Sequence, residues 1–402
     1  MNKKIRILCY SLSFLVLLLI GAAVFKSAMK HNSTSVPDQD ASSIKSTAEN
    51  TTQTKNNQDT TQTAQPKVPA VQATDTSKST QETSKVQATE ATQTTMVFTG
   101  DILLGNSVAA NYTSKGIKGI LSDNLLNQMK SANITMVNEE FPFSNAGSAM
   151  QDKQYTFRVN PEYVTAFMEM GIDIVSIANN HTLDYGTQAL NDTCATLDKA
   201  GILYAGAGAT KQRAMQLMTI KENGKTFGFL AASRVLPEGS WNVQNQEPGI
   251  FSTYDPTALL AAIKSAKASC DYLTVFVHWG VEKSESPQDY QRSLGKQYMD
   301  AGADLVIGSH THCLEGVEYF DGKPVFYSLG NFLFGNDGQT AAVKVTVNSD
   351  NAASYTFLPA KEVSACTSLV TGDEAANIFA HLTQISPNAT VGSDGIVQQK
   401  AQ

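Results

Sequence analysis

From Thr95 onward, short apolar runs alternate with segments whose apolar residues recur every three or four positions. The runs TMVFTG, ITMVNE, IDIVSIA, ILYAG, TFGFLAA, YLTVFVH, ADLVIGS, PVFYSLG and AAVKVTV predict strands, many of them apolar enough to be buried on both faces. Between them PEYVTAFMEM, TQALNDTCATLDKA, PTALLAAIKSAKAS and PQDYQRSLGKQYMDA carry helical spacing, and several end at a glycine. Strands that alternate with helices predict an α/β layered domain. From Pro324 the pattern turns to strands, with one last helix over roughly 373–384.

The N-terminal part follows other rules. Residues 7–25, ILCYSLSFLVLLLIGAAVF, carry no charge. Nineteen residues at 1.5 Å each make a helix of roughly 28 Å, about one hydrocarbon core. Lys3, Lys4 and Arg6 precede the run, which predicts a single-pass anchor in the cell membrane, a cytoplasmic N-terminus and an extracellular C-terminal domain. Gly21-Ala22-Ala23 also suits a cleavage site, so a removed signal peptide is the alternative. Residues 27–94 contain no Leu, Gly, Cys or aromatic residue and repeat Thr, Ser, Gln, Asn, Lys and Ala. Such a stretch buries too little apolar surface to offset its ordering entropy and is expected to be a disordered stalk. The expected organisation is a tip and anchor at 1–26, a linker at 27–94, one domain at 95–397 and a tail at 398–402.

Composition narrows the function. The net charge is −7, and the only arginines are Arg6, Arg158, Arg213, Arg234 and Arg292, which argues against a nucleic-acid partner. Cys9, Cys194, Cys270, Cys313 and Cys366 form no C-x-x-C pair, which disfavours a thiolate cluster; a disulfide is allowed but not indicated. No G-x-G-x-x-G, Walker A or G-x-S-x-G pattern occurs, which lowers the nucleotide-binding and serine-hydrolase readings.

The polar residues are informative by position. Of six histidines, His181, His278, His310 and His312 close apolar strand-like runs. Asp101 follows TMVFTG, Asn138-Glu139-Glu140 follows ITMV, and Asn179-Asn180-His181 follows IDIVSIA. Open α/β sheets bind ligands at the carboxyl ends of their strands. Singly, each has an ordinary explanation: Gly100-Asp101 as a turn, His278 as a core histidine, Asn179 as a helix cap. Together they predict a metal site. His310 and His312, at i and i+2 of an expected extended segment, should share a face, with Cys313 turned away into packing. Imidazole suits Zn, Fe or Mn, and carboxylate or amide oxygen suits Mn or Mg, so one or two divalent ions are expected at a hydrolytic site.

The ordered series Gly100-Asp101, NEEFP, ANNHTLDYG, VHWGVE, GADLVIGSHTHCLEG and YSLGNFLFG resembles the capsule-synthesis protein A (CapA) family of poly-γ-glutamate synthesis, over about 95–397. That family is similar to the calcineurin-like metallophosphoesterases. The resemblance implies a metallophosphoesterase-like layered sandwich, two central mixed β-sheets flanked by helices. It also implies metal ligands at Asp101, Glu140, Asn180, His278, His310 and His312, with His181 as general acid and Asp184 orienting it. Glu282, Ser328 and Asn331 match family positions without a derivable task. One departure stands out. The first motif of such phosphoesterases reads D-x-H, and here Leu103 replaces the histidine, which implies one tight ion and a second that is weak, substrate-dependent or absent. The expected function is a membrane-anchored extracellular hydrolase or transferase acting on a surface polymer or its phosphorylated precursor. The alternative is a non-catalytic accessory subunit among the membrane proteins of a polymer synthesis and export complex. A plain substrate-binding ectodomain explains the strand-end ligands least well.

Overall fold

The computed structural model describes residues 93–401. The expected anchor at 7–25, and the linker up to residue 92, lie outside the described residues. Among those described, no helix is long and apolar enough to cross a membrane.

In chain order the strands begin β1 (Thr94–Ile102), β2 (Ile134–Glu139), β3 (Ile174–Ser176), β4 (Leu203–Ala205), β5 (Ala207–Gly208) and β6 (Met218–Glu222). They continue with β7 (Lys225–Ser233), β8 (Gly249–Ile250), β9 (Tyr272–His278), β10 (Leu305–Ser309), β11 (Leu314–Phe320) and β12 (Lys323–Leu329). The last are β13 (Asn331–Leu333), β14 (Gly338–Val347), β15 (Ala353–Val363), β16 (Cys366–Leu369), β17 (Ala389–Val391) and β18 (Val397–Gln399). The helices are α1 (Asn106–Lys115), α2 (Asp123–Ser131), α3 (Val164–Met170), α4 (Gly186–Ala200), α5 (Lys211–Ala214), α6 (Thr257–Lys267), α7 (Asp289–Ala301) and α8 (Gly372–Ile385). Each apolar run expected as a strand lies in one, and the helical segments became α3, α4, α6, α7 and α8. β15 was not anticipated: Pro359 demotes a strand pattern, yet this strand pairs with β14 from residue 353 to residue 362.

Two mixed sheets result. One runs β16-β15-β14-β1-β2-β3-β4 with β13 also on β1, and the other runs β11-β12-β10-β9-β7-β6. Phe98, Phe276, Ile307, Phe326 and Phe357, drawn from both sheets, share one buried cluster. A second cluster joins Leu259 and Ile263 of α6 and Leu294 and Tyr298 of α7 to Val275 and Val306 of the second sheet. Helices therefore cover the outer face and side chains of both sheets meet between them, an α/β sandwich with flanking helices.

The parallel strands of both sheets end at one rim. Asp101 of β1 sits level with Asn138 of β2 and Asn331 of β13. His278 of β9 sits level with Ser233 of β7 and Ser309 of β10. Gly100-Asp101 thus continues a strand rather than forming a turn. The close approach beneath the rim needs glycine at two places. A Cβ on Gly100 would lie 1.9 Å from the Gly330 carbonyl oxygen, and one on Gly308 1.9 Å from that of Tyr327.

Gly100→Ala and Gly308→Ala are each expected to cost about 3 kcal/mol or more, since the obstacle is backbone that cannot rotate aside. Gly239→Ala, whose Cβ meets nothing within 4 Å, should stay within about 0.5 kcal/mol of the parent. Urea unfolding distinguishes them, and equal midpoints for all three would refute the close-approach account.

A second expectation concerns pH. Glu315 of β11 is buried, takes one hydrogen bond from Gln291 Nε2 (2.9 Å) and leaves Oε1 unpartnered. Burial lifts its carboxyl to about 7. Between the ordinary value and 7 the folded chain holds a proton that the unfolded chain releases, so stability falls as pH rises through that window. The slope from this group is at most about 1.4 kcal/mol per pH unit. Glu315→Gln should flatten the fall in melting temperature between pH 5 and 7; an unchanged profile would remove Glu315 as its source.

Candidate metal centre

The rim brings together all six residues expected as ligands. Two groups share Glu140: Glu140, His278 and His310, and Asp101, Glu140 and His312, each with ligand-type atoms within 4.8 Å of one another. Asn180 Oδ1 lies 2.8 Å from His278 Nε2, which itself lies 3.8 Å from Glu140 Oε1. Glu140 belongs to both groups and Glu139 to neither, which decides which acid of the pair belongs here. The His310-Thr311-His312 segment departs from the expected extended form. His310 and His312 both adopt left-handed backbone, φ 97° and 55°. The turn nevertheless holds their rings with centroids 6.0 Å apart, and Cys313 turns aside to donate its thiol to the Ser284 carbonyl (3.3 Å).

Neighbouring groups hold these side chains in place. Asn138 Nδ2 donates to Asp101 Oδ1 (2.8 Å) and Glu140 Oε2 (3.3 Å), so one amide ties both acids. The His310 amide donates to Asp101 Oδ2 (3.2 Å), joining the sheets at the site. Ser309 Oγ lies 2.9 Å from His278 Nδ1, and Asn331 Oδ1 2.7 Å from His312 Nδ1; such contacts fix ring orientation. Asn179 fastens the next loop, accepting from the His181 amide (3.0 Å) and donating to the Glu139 carbonyl (2.7 Å).

His181 stands beside the cluster. Its Nδ1 lies 2.6 Å from Asp184 Oδ2 and its Nε2 3.9 Å from Glu140 Oε1. Phe157 stacks on the ring at 4.1 Å, and its amide donates to Asp184 Oδ2 (2.7 Å). The Lys153 ammonium, which the sequence reading missed, contacts Asp184 and the Asn180 carbonyl and lies 3.2 Å from His181 Nδ1. Its loop carries no periodic pattern that would have flagged it. Asn331 was matched within YSLGNF, and its contact with His312 now gives it a task.

Burial dominates the electrostatics. It raises Glu140 well above the ordinary carboxyl range, with Asp101 pushing the same way. It also raises Asp101, against the pull of His312. Burial lowers His278 far below the usual imidazole value and takes His310 to about 3, with neighbouring histidines adding to both. Burial thus favours the neutral forms of His278 and His310, with lone pairs available to a cation. Glu140 Oε1 and His310 Nδ1 are buried and have no hydrogen-bond partner. A buried polar atom left unpaired is costly, and a shared divalent ion would satisfy both, so the residues present suit such an ion. Leu103, where the resemblance places a histidine, lines a cavity of about 400 Å³ with Phe157, Arg158 and Phe334 instead.

Residues 95–336 match the family described as bacterial capsule synthesis protein PGA_cap. The PGA biosynthesis protein CapA of Bacillus subtilis (strain 168) is 33% identical over 239 residues, covering 59% of this chain and 62% of that one. The probable polyglutamine synthesis accessory protein Rv0574c of Mycobacterium tuberculosis (strain ATCC 25618 / H37Rv) is 30% identical over 215 residues, covering 51% and 56%. The chain thus spans about three fifths of the length of the curated relatives it matches. A solved structure of a hypothetical protein from Thermus thermophilus is similar at a TM-score of 0.41, with 14% identity over 66% of this chain and 99% of that one. A likeness that loose carries no argument.

Metal analysis of the purified chain should find one tightly held divalent ion. His278→Ala should lose it, and His312→Ala should keep it while weakening any second ion by at least tenfold. Two ions at full occupancy after exhaustive dialysis would overturn the unequal assignment.

Proposed function

The chain belongs to the bacterial capsule synthesis protein PGA_cap family, and from that premise we propose that it is a metal-dependent hydrolase or transferase of metallophosphoesterase type. Its substrate would be poly-γ-glutamate or a phosphorylated precursor of such a surface polymer. The observation that carries this reading is the His181–Asp184 pair set beside a ligand group that shares Glu140. A purely structural ion has no use for that pair.

Glu140, Asn180, His278 and His310 would hold the tighter ion, and Asp101, Glu140 and His312 the weaker one. A divalent ion there supplies Lewis acidity and lowers the pKa of water enough to make a nucleophile. The chain's own side chains do the rest. Asp184 accepts the hydrogen bond from His181 Nδ1–H and favours the imidazolium against the burial that opposes it, so that Nε2–H, the edge toward Glu140, is the group that would give its proton to a leaving oxygen. Lys153 holds Asp184 from its other oxygen, and Phe157 keeps the ring in plane and excludes water from one face. Asn138 keeps both acids aimed at the same point.

The proposed location is outside the cell, the domain held to the membrane by residues 7–25 and spaced from it by 27–94. The charge-free run behind Lys3, Lys4 and Arg6 supports this. Other membrane subunits of polymer synthesis would then be its neighbours. The accessory reading has one specific observation in its favour: Leu103 deprives the second position of a ligand.

Purified chain supplied with Mn, Zn or Mg should turn over at least one member of a phosphomonoester, phosphodiester and γ-glutamyl panel. His181→Ala should keep its metal and lose turnover by roughly 10²–10⁴-fold. No turnover on any member, together with normal polymer output in cells carrying His181→Ala or His310→Ala, would defeat the enzyme reading and leave the accessory one.

A further inference from the structure

Arg234 is the first residue beyond β7, and its amide donates to the carbonyl of His278 (2.8 Å). Its guanidinium is held by the faces, 4.1 Å from the Tyr254 ring centroid and 5.1 Å from that of Tyr290. Tyr290 is itself fixed, its hydroxyl accepting from the Gly280 amide (2.8 Å) and donating to the Gly280 carbonyl (3.2 Å).

The edges of this guanidinium are unused. Nε and Nη1 are buried and neither has an acceptor. The other described arginines each donate at least one hydrogen bond: Arg292 is forked onto Glu318, Arg158 donates to the Ala146 carbonyl, and Arg213, whose Nη1 is also buried and unpartnered, donates from Nη2 to the Tyr204 carbonyl. Among the described residues, Arg234 is the arginine whose guanidinium donates no hydrogen bond. The loop it opens holds another unused donor, the buried Nε2 of Gln244. That loop borders a cavity of about 340 Å³ lined by Asn242 and Asn245 and by Tyr254 of the clamp.

A guanidinium presents a rigid fork matched to carboxylate and phosphate, and two aromatic faces hold it without consuming any of its N–H groups. Buried donors left unpaired are costly, so a fork kept unsatisfied beside a functional rim calls for an acceptor from outside the chain. Ser233, not Arg234, lies level with His278, so the Arg234 backbone stands one residue beyond the level of that expected ligand.

We propose that Arg234, clamped by Tyr254 and Tyr290, is a specificity-determining residue that binds an acidic group, carboxylate or phosphate, of the ligand acted on at the metal centre. This rests on the function proposed above for that centre. It also accounts for how a chain of net charge −7 accepts an anionic ligand, since the attraction is local and does not come from the overall field.

Calorimetric titration of the full chain with penta-γ-glutamate and, separately, with inorganic phosphate tests it. The probe that the parent binds should bind Arg234→Gln at least tenfold more weakly and Arg234→Lys in between, with metal content and melting temperature unchanged. A loss confined to the glutamate probe assigns a carboxylate, and one confined to phosphate assigns a phosphate. Parent-like affinity in both variants, or a parent that binds neither probe, overturns the proposal. The measurement needs no turnover, so an Arg234-dependent affinity that persists in inactive chain would separate failure of the enzyme reading from failure of this one.

Discussion

Two carboxylates, Asp101 and Glu140, lie fully buried and side by side where the two sheets meet, and the rest of the site is arranged around that fact. Like charges in such a place cannot both ionise without a counter-charge, and burial already pushes both toward the neutral form. The fold answers with donors placed to favour the anions: the Asn138 amide between them and the His310 amide from the opposite sheet. It leaves Glu140 Oε1 without any donor, and Glu140 belongs to both ligand groups.

The geometry follows from the architecture. Parallel strands deliver their last residues to one rim, and glycines at 100 and 308 let the backbone pack tightly just behind it. The His310–His312 turn carries strain of a kind concentrated at functional sites, two non-glycine residues in left-handed backbone. An extended path would continue past the rim, whereas this turn keeps both imidazoles at it before β11 begins.

Much of this was legible beforehand because the signals were local. Apolar runs closed by a polar residue marked the strands and the ligands together, and the helical spacing marked the outer layer. What stayed hidden depends on contacts between distant parts of the chain. Lys153 reaches His181 and Asp184 from a loop without periodicity, and nothing in its neighbourhood distinguishes it from a surface lysine. The tasks of Asn138 and Asn331 appear only when β1, β2 and β13 are laid in register. Taken alone, Gly100-Asp101 also allowed a turn, because a glycine before an aspartate is a turn signal. Here the glycine answers a demand set by Gly330, more than two hundred residues away.

Leu103 shows how one residue reshapes such a site. A histidine there would add a nitrogen to the Asp101 and His312 side and make the two positions comparable. Leucine, buried and uncharged, gives that side an apolar wall continuous with Phe334, which lies against His312, and Phe157, which lies against His181. Phe157 of that wall covers one face of the His181 ring, and the wall borders a cavity of about 400 Å³ that Asn106, Arg158 and Asn336 also line. The departure from the D-x-H pattern leaves the other side whole, because the His181–Asp184–Lys153 contacts gather around Glu140 and Asn180, which belong with His278 and His310, and none of them depends on residue 103.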